Sequence, residues 1–100
     1  MMKYVTEFIG TFVFLSVFLN ATNPNSPHKM LAPFAVGVAL TAVMFFGQQM
    51  SGHGHFNPAV SVMYALKDQL SMQDLSMFIV SQFFAAVAAK YYYDYSLSSK

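Results

Sequence analysis

Ser51-Gly52-His53-Gly54-His55-Phe56-Asn57-Pro58-Ala59-Val60-Ser61 decides the fold, because it starts a short helix between two apolar segments of membrane-crossing length. Proline fixes the backbone angle of a first helical turn and has no N–H to leave unpaired there. Asparagine is a preferred cap whose amide can also offer a donor sideways. The segment from Pro58 to Leu66, closed by Lys67-Asp68, has room for roughly 14 Å of helix at about 1.5 Å per residue. A bilayer core is about 30 Å thick, so such a helix enters without crossing.

The rest of the chain supplies the bilayer setting. Its 100 residues are 56% hydrophobic, 17% aromatic and only 9% charged, too short for two ordinary soluble domains and too apolar for one. The charges stand at Lys3, Glu7, Lys29, Lys67, Asp68, Asp74, Lys90, Asp94 and Lys100. Between them lie three uncharged stretches that approach the roughly 20 apolar residues a spanning helix needs. The spacing predicts an integral, multi-pass membrane protein in contact with the lipid bilayer. A net charge of +1 with no basic cluster argues against nucleic acid and against a polybasic lipid-surface mode. The absence of cysteine excludes a disulfide framework, a thiolate site and palmitoylation. Lys3 before the run Phe8 to Leu19 could pass for a secretory signal, but Glu7 interrupts that run and no clean small-x-small cleavage site follows.

The first span is expected over about 4–21, ended by a loop over 22–29 whose prolines and asparagines favour turns. The second span is expected over about 30–49. It is apolar on every face, and its small residues Ala35, Gly37, Ala39 and Ala42 suit close helix approach in lipid. The re-entrant loop and half-helix occupy 51–67. Ser71-Met72-Gln73-Asp74 has the spacing of a capping box ahead of the third span, expected over about 74–93. There Lys90 can snorkel and Tyr91, Tyr92, Tyr93 and Tyr95 form an aromatic belt, with a polar, frayed tail over 94–100. Non-helical backbone at membrane depth is tolerated only when buried in protein or lining a water-filled cavity. The loop Ser51 to Phe56 therefore predicts such a cavity, with Gly54, His55 and Phe56 on its wall. The positive end of the helix dipole at Pro58 disfavours cations there.

These residues together resemble the aquaporins and glycerol facilitators, the major intrinsic proteins. The resemblance spans nearly the whole chain and covers the first of that family's two inverted repeats. Thr6-Glu7-Phe8-Ile9-Gly10-Thr11-Phe12 is similar to the family's first-helix opening, and Gly37-Val38-Ala39-Leu40 to its second helix. Ser51 to Val60 resembles the re-entrant loop, and Gln82-Phe83-Phe84-Ala85-Ala86 the third helix. The resemblance implies an all-α membrane fold of three transmembrane helices plus one re-entrant half-helix, half of an aquaporin-like fold. It implies a passive channel for water or small neutral solutes such as glycerol, with no cofactor and no metal. Asn57 would be the mid-pore donor, Pro58 and Ala59 would start and pack the half-helix, and Val60 would stand at the constriction. Glu7 would be the buried carboxylate that accepts from the loop, Gln82 its counterpart on the third helix, and His55 the loop histidine ahead of the triplet. Three departures stand out. The loop has one extra residue, which leaves the carbonyl register ahead of Asn57 open. Val36 falls where the family often has a filter aromatic, implying a wider filter. The sequence has no arginine and no second asparagine-proline-alanine triplet.

One such repeat presents a half-lined groove, so a homo-oligomer with an inverted copy, or a complementary second half, is the expected completion. The lysines nearly balance between opposite loops, Lys3 and Lys67 against Lys29, Lys90 and Lys100, giving little orientation signal. A non-conducting structural or regulatory membrane subunit is the alternative. A metal site at His53 and His55, with His28, lacks the further ligands zinc takes. No Ser-His-Asp set or carboxylate pair points to an enzyme.

Overall fold

Helix α1 (Met2–Ala21) is the centre of the molecule, with α2 (Ala32–Ser51) on one side and α4 (Met72–Ser98) on the other, and the short α3 (Pro58–Leu66) lies on α4. A single 3-10 turn, Lys29–Leu31, leads into α2. This computed structural model describes residues 1–98. Three of its helical segments, Met2–Ala21, Lys29–Ser51 and Met72–Ser98, are long and apolar enough to cross a membrane. Helices α1 and α4 run parallel, since Tyr4 meets Phe78 at 6.0 Å between ring centroids and Phe12 meets Tyr92 at 5.8 Å.

Packing follows the helical period. On α4 the buried residues are Phe78, Gln82, Ala85 and Ala89, spaced four, three and four apart, which places them on one stripe. The two alanines allow α1 to approach closely. On α1 the buried set is Thr6, Glu7, Gly10 and Thr11, two adjacent pairs one turn apart on one face, with polar groups turned inward. The opposite faces are apolar and open: Phe34, Phe45, Phe83 and Phe84 are 64–75% exposed. So much exposed aromatic surface is a liability in water and suits lipid or an apposed helix.

Each helix end has a local cause. Helix α1 stops where Thr22 returns both its N–H and its hydroxyl to the Phe18 carbonyl, just ahead of Pro24 and Pro27. Pro33 occupies the first turn of α2, and Gly52 closes that helix in the left-handed region (φ +76°) while donating to Gln48 O. Asp68, at φ +61°, ends α3 in the same manner. Ser71 Oγ accepts the Asp74 N–H at 3.0 Å and so caps α4. The Asp74 carboxylate does not return to Ser71 as a full capping box would. It accepts from Lys3 Nζ at 2.7 Å and Tyr4 Oη at 2.6 Å, tying the starts of α4 and α1 together.

Helix α4 extends beyond the span expected from sequence and runs through Asp94 to Ser98, where a frayed tail was expected. Lys90 pairs with Asp94 one turn on at 2.6 Å and also covers the Tyr91 ring. Ser96 and Ser98 donate to carbonyls three residues back. No proline or glycine interrupts this stretch. Ser99 and Lys100, the remainder of that expected tail, lie outside the described residues.

Candidate functional site

The loop between α2 and α3 is held by one carboxylate. Glu7, fully buried on α1, accepts the His55 N–H on Oε2 at 2.9 Å and the Phe56 N–H on Oε1 at 2.8 Å. Gln82 on α4 donates to the same Oε1 at 3.0 Å and to Ser61 Oγ at 3.1 Å. Ser61 in turn meets His55 Nδ1 at 2.9 Å. A closed polar network thus joins α1, the loop, α3 and α4, and it pairs loop amides that would otherwise be orphans in an apolar interior.

Phe56 secures the same loop sterically. Its backbone is left-handed (φ +54°), which costs a bulky L-residue about 1–2 kcal/mol. Its ring is 3% exposed, and burial of a phenyl group returns a comparable amount, about 1.5–3 kcal/mol. The socket is made by two glycines. A Cβ on Gly10 would collide with the Cδ1–Cε1–Cζ edge of the Phe56 ring, and one on Gly47 would stand 2.8 Å from Cζ and closer still to the His53 carbonyl oxygen. That carbonyl is therefore turned against α2, where Ser51 Oγ also reaches it at 3.4 Å.

The expected wall residues are divided between two concavities. Gly54, His55 and Val60 line a vestibule of about 280 Å³ together with Met44, Gln48, His53 and Tyr64. Phe56, Asn57 and Pro58 line a second cavity of about 280 Å³ between α1 and α4, beside Thr11 and Gln82. Asn57 caps α3 by accepting the Ala59 N–H on Oδ1 at 2.8 Å, which leaves its amide nitrogen as an exposed donor without a protein acceptor. Ala59 is exposed on the first turn. Val36 is half-buried and lines neither cavity, being one residue, about 100°, round α2 from Gly37.

Two buried polar atoms at the second cavity have no partner, Thr11 Oγ1 and Gln82 Oε1. Orphans of this kind cost about 1–3 kcal/mol each unless something else bonds them. Among the described residues no three His, Cys, Asp or Glu side chains gather closely enough to hold a metal ion. His53 and His55 stand edge to face at 5.9 Å.

The sequence profile of the family described as Major intrinsic protein matches residues 1–98. The chain belongs to the major intrinsic proteins. It is 36% identical over 91 residues to "Glycerol uptake facilitator protein-like 6" of Lactiplantibacillus plantarum, a match covering 89% of this chain and 41% of the relative. It is 33% identical over 96 residues to "Probable aquaporin TIP5-1" of Arabidopsis thaliana, covering 86% of this chain and 37% of that relative. The chain thus spans less than half the length of these curated relatives. No solved structure gives a significant match. With the family and three spanning helices in hand, this major intrinsic protein chain is an integral, multi-pass membrane protein.

Sequence reasoning missed one wall of the site in this major intrinsic protein chain. Gly37, Thr41, Met44 and Gln48 form a single stripe along α2, bordering a run of open concavities that leads into the vestibule. Gly37 meets no atom within 4 Å of an added Cβ, so it brings no helix of this chain closer. Close approach falls instead to Gly10 and Gly47. The signal was present in part: Thr41 and Gln48, seven apart and so on one face, are two of the few polar residues in a segment otherwise apolar.

Proposed function

We propose that this chain forms one wall of a passive transmembrane channel for water and small neutral solutes such as glycerol. The wall is completed by an apposed surface of the same kind, either an inverted second copy in a homo-oligomer or a complementary second half. The observation that carries this reading is the non-helical segment between α2 and α3, whose buried residues His55 and Phe56 place their N–H groups on Glu7 of the spanning helix α1. Irregular backbone at that depth is compatible with a bilayer only beside protein or a water-filled path. With those amides bound to Glu7, the Asn57 amide remains free to donate to a passing oxygen atom. The N-terminus of α3 opposes cations through its dipole.

Three further points support the reading. The concave strip from Gly37 to Gln48 runs toward the vestibule along α2 and is open on one side, the form of a pore wall lacking its opposite face. Thr11 and Gln82, which help line the second cavity, each carry a buried oxygen without a protein partner, a polar character that a wall facing only lipid would not favour. The relatives named as glycerol facilitator and aquaporin are more than twice as long as the matched segment.

The test is stopped-flow light scattering of liposomes containing the purified chain, comparing water efflux and glycerol entry for wild type and Asn57→Asp. Aspartate keeps the oxygen that caps Ala59 N–H and suits the helix dipole, so the fold is retained while the free amide donor is replaced by charge. Fast solute flux that Asn57→Asp abolishes supports a pore built from this chain. Flux equal to empty liposomes, with the protein folded and inserted, overturns the inverted-copy form. Flux unchanged by Asn57→Asp overturns the role of Asn57.

A further inference from the structure

The two ring nitrogens of His55 have different surroundings. Nδ1 lies 2.9 Å from Ser61 Oγ. Nε2 has no protein partner and is not among the enclosed unpaired atoms, and the ring helps line the vestibule. The ring is clamped, stacked on Tyr64 at 4.8 Å and 9° and edge-on to Phe78 at 5.1 Å. A neutral imidazole carries one proton, and the partner of one nitrogen decides which nitrogen holds it.

Here the decision passes through three side chains. Glu7 Oε1 takes an N–H from Gln82, which fixes the amide with its nitrogen toward the network and its oxygen away from it, without a protein partner. The other N–H of that nitrogen goes to Ser61 Oγ at 3.1 Å, so Ser61 already accepts. Ser61 is fully buried, and its hydroxyl hydrogen needs an acceptor; Nδ1 is the one within reach in this network. A proton on Nδ1 would give Ser61 two incoming donors and leave its own hydrogen buried and unpaired.

We infer that Ser61 is a positioning residue which, with Gln82 and Glu7 behind it, fixes His55 as the Nε2–H tautomer and so presents a permanent hydrogen-bond donor to the vestibule. The consequence for transport rests on the channel reading above. An Nε2–H meets a solute oxygen as the Asn57 amide does, and it offers no lone pair to an arriving proton or cation. His55 would then bind water and hydroxyl groups in the vestibule while refusing protons.

The tautomer is read directly by solid-state 15N NMR of the histidine-labelled chain in lipid bilayers, at a pH where imidazole is neutral. His55 is assigned by the signals lost in His55→Gln. Protonated and unprotonated ring nitrogens resonate far apart, and a hydrogen bond shifts the unprotonated one. The expected result is a protonated Nε2 and an unprotonated, hydrogen-bonded Nδ1 in wild type and Ser61→Thr, with the hydrogen-bond shift lost in Ser61→Ala. A wild-type Nδ1 that carries the proton overturns the inference, and so does a Ser61→Ala spectrum identical to wild type. Should Ser61→Ala fail to fold, the wild-type spectrum alone decides. Proton entry into the same liposomes, read with a pH-sensitive dye, is expected to rise in Ser61→Ala and return in Ser61→Thr. Absence of any flux would count against the channel reading and leave the tautomer result standing.

Discussion

Glu7→Gln is the substitution that most directly tests how the loop is held. Three donors, His55 N–H, Phe56 N–H and Gln82 Nε2, converge on its two carboxylate oxygens at 2.9, 2.8 and 3.0 Å. Glutamine keeps one oxygen and turns an amide nitrogen toward at least one of these donors. One buried donor left without an acceptor costs about 1–3 kcal/mol. The surviving bonds lose their charge assistance, which roughly halves them and removes about 1 kcal/mol more. The sum is about 2–4 kcal/mol, on the order of 30- to 1,000-fold in the equilibrium for opening the loop. Hydrogen exchange read by mass spectrometry on peptides covering 52–57, with the chain in lipid nanodiscs, measures that equilibrium. Exchange there is expected to accelerate by that factor while the middle of α4 is unchanged. Protection of the loop within about threefold of wild type would refute the argument that Glu7 is its anchor, since about 0.7 kcal/mol is less than one buried hydrogen bond.

Two other substitutions test separate parts of the fold. Gly47→Ala places a methyl group 2.8 Å from Phe56 Cζ and against the His53 carbonyl, so it is expected to destabilise by about 1–3 kcal/mol as overpacking does; Gly37→Ala, facing open space, is the control that should be neutral in the same detergent-unfolding titration read by circular dichroism. Ser71→Ala removes the cap on Asp74 N–H and is expected to cost about 1 kcal/mol in that assay, whereas Ser71→Asp should retain the wild-type midpoint.

The helices were legible because their determinants are local. Three apolar stretches, prolines at two helix starts and a serine three residues ahead of Asp74 are features of neighbouring residues, so sequence alone exposes them. The triplet Asn57-Pro58-Ala59 marks the start of α3 for the same reason. The pairing of Glu7 and Gln82 with the loop entered through resemblance to a family, because nothing in the spacing of residues 7, 55 and 82 brings them together. The stripe Gly37-Thr41-Met44-Gln48 went unread because hydrophobic periodicity is silent in a helix apolar nearly all round. Which of its faces stays open depends on where α1 lies.

The sequence by itself determined a membrane-spanning, all-helical chain with a helix started in mid-course, since length, polarity and capping act within a few residues. Tertiary structure decided the rest. Phe56 enters its socket only because Gly10 and Gly47 face each other across two helices. Asn57 and His55, two residues apart, open onto different cavities because the chain turns between them through a left-handed Phe56. The tautomer of His55 is set by a network reaching from α1 to α4. Such effects depend on the meeting of distant segments, where buried donors need acceptors and close-packed atoms exclude one another.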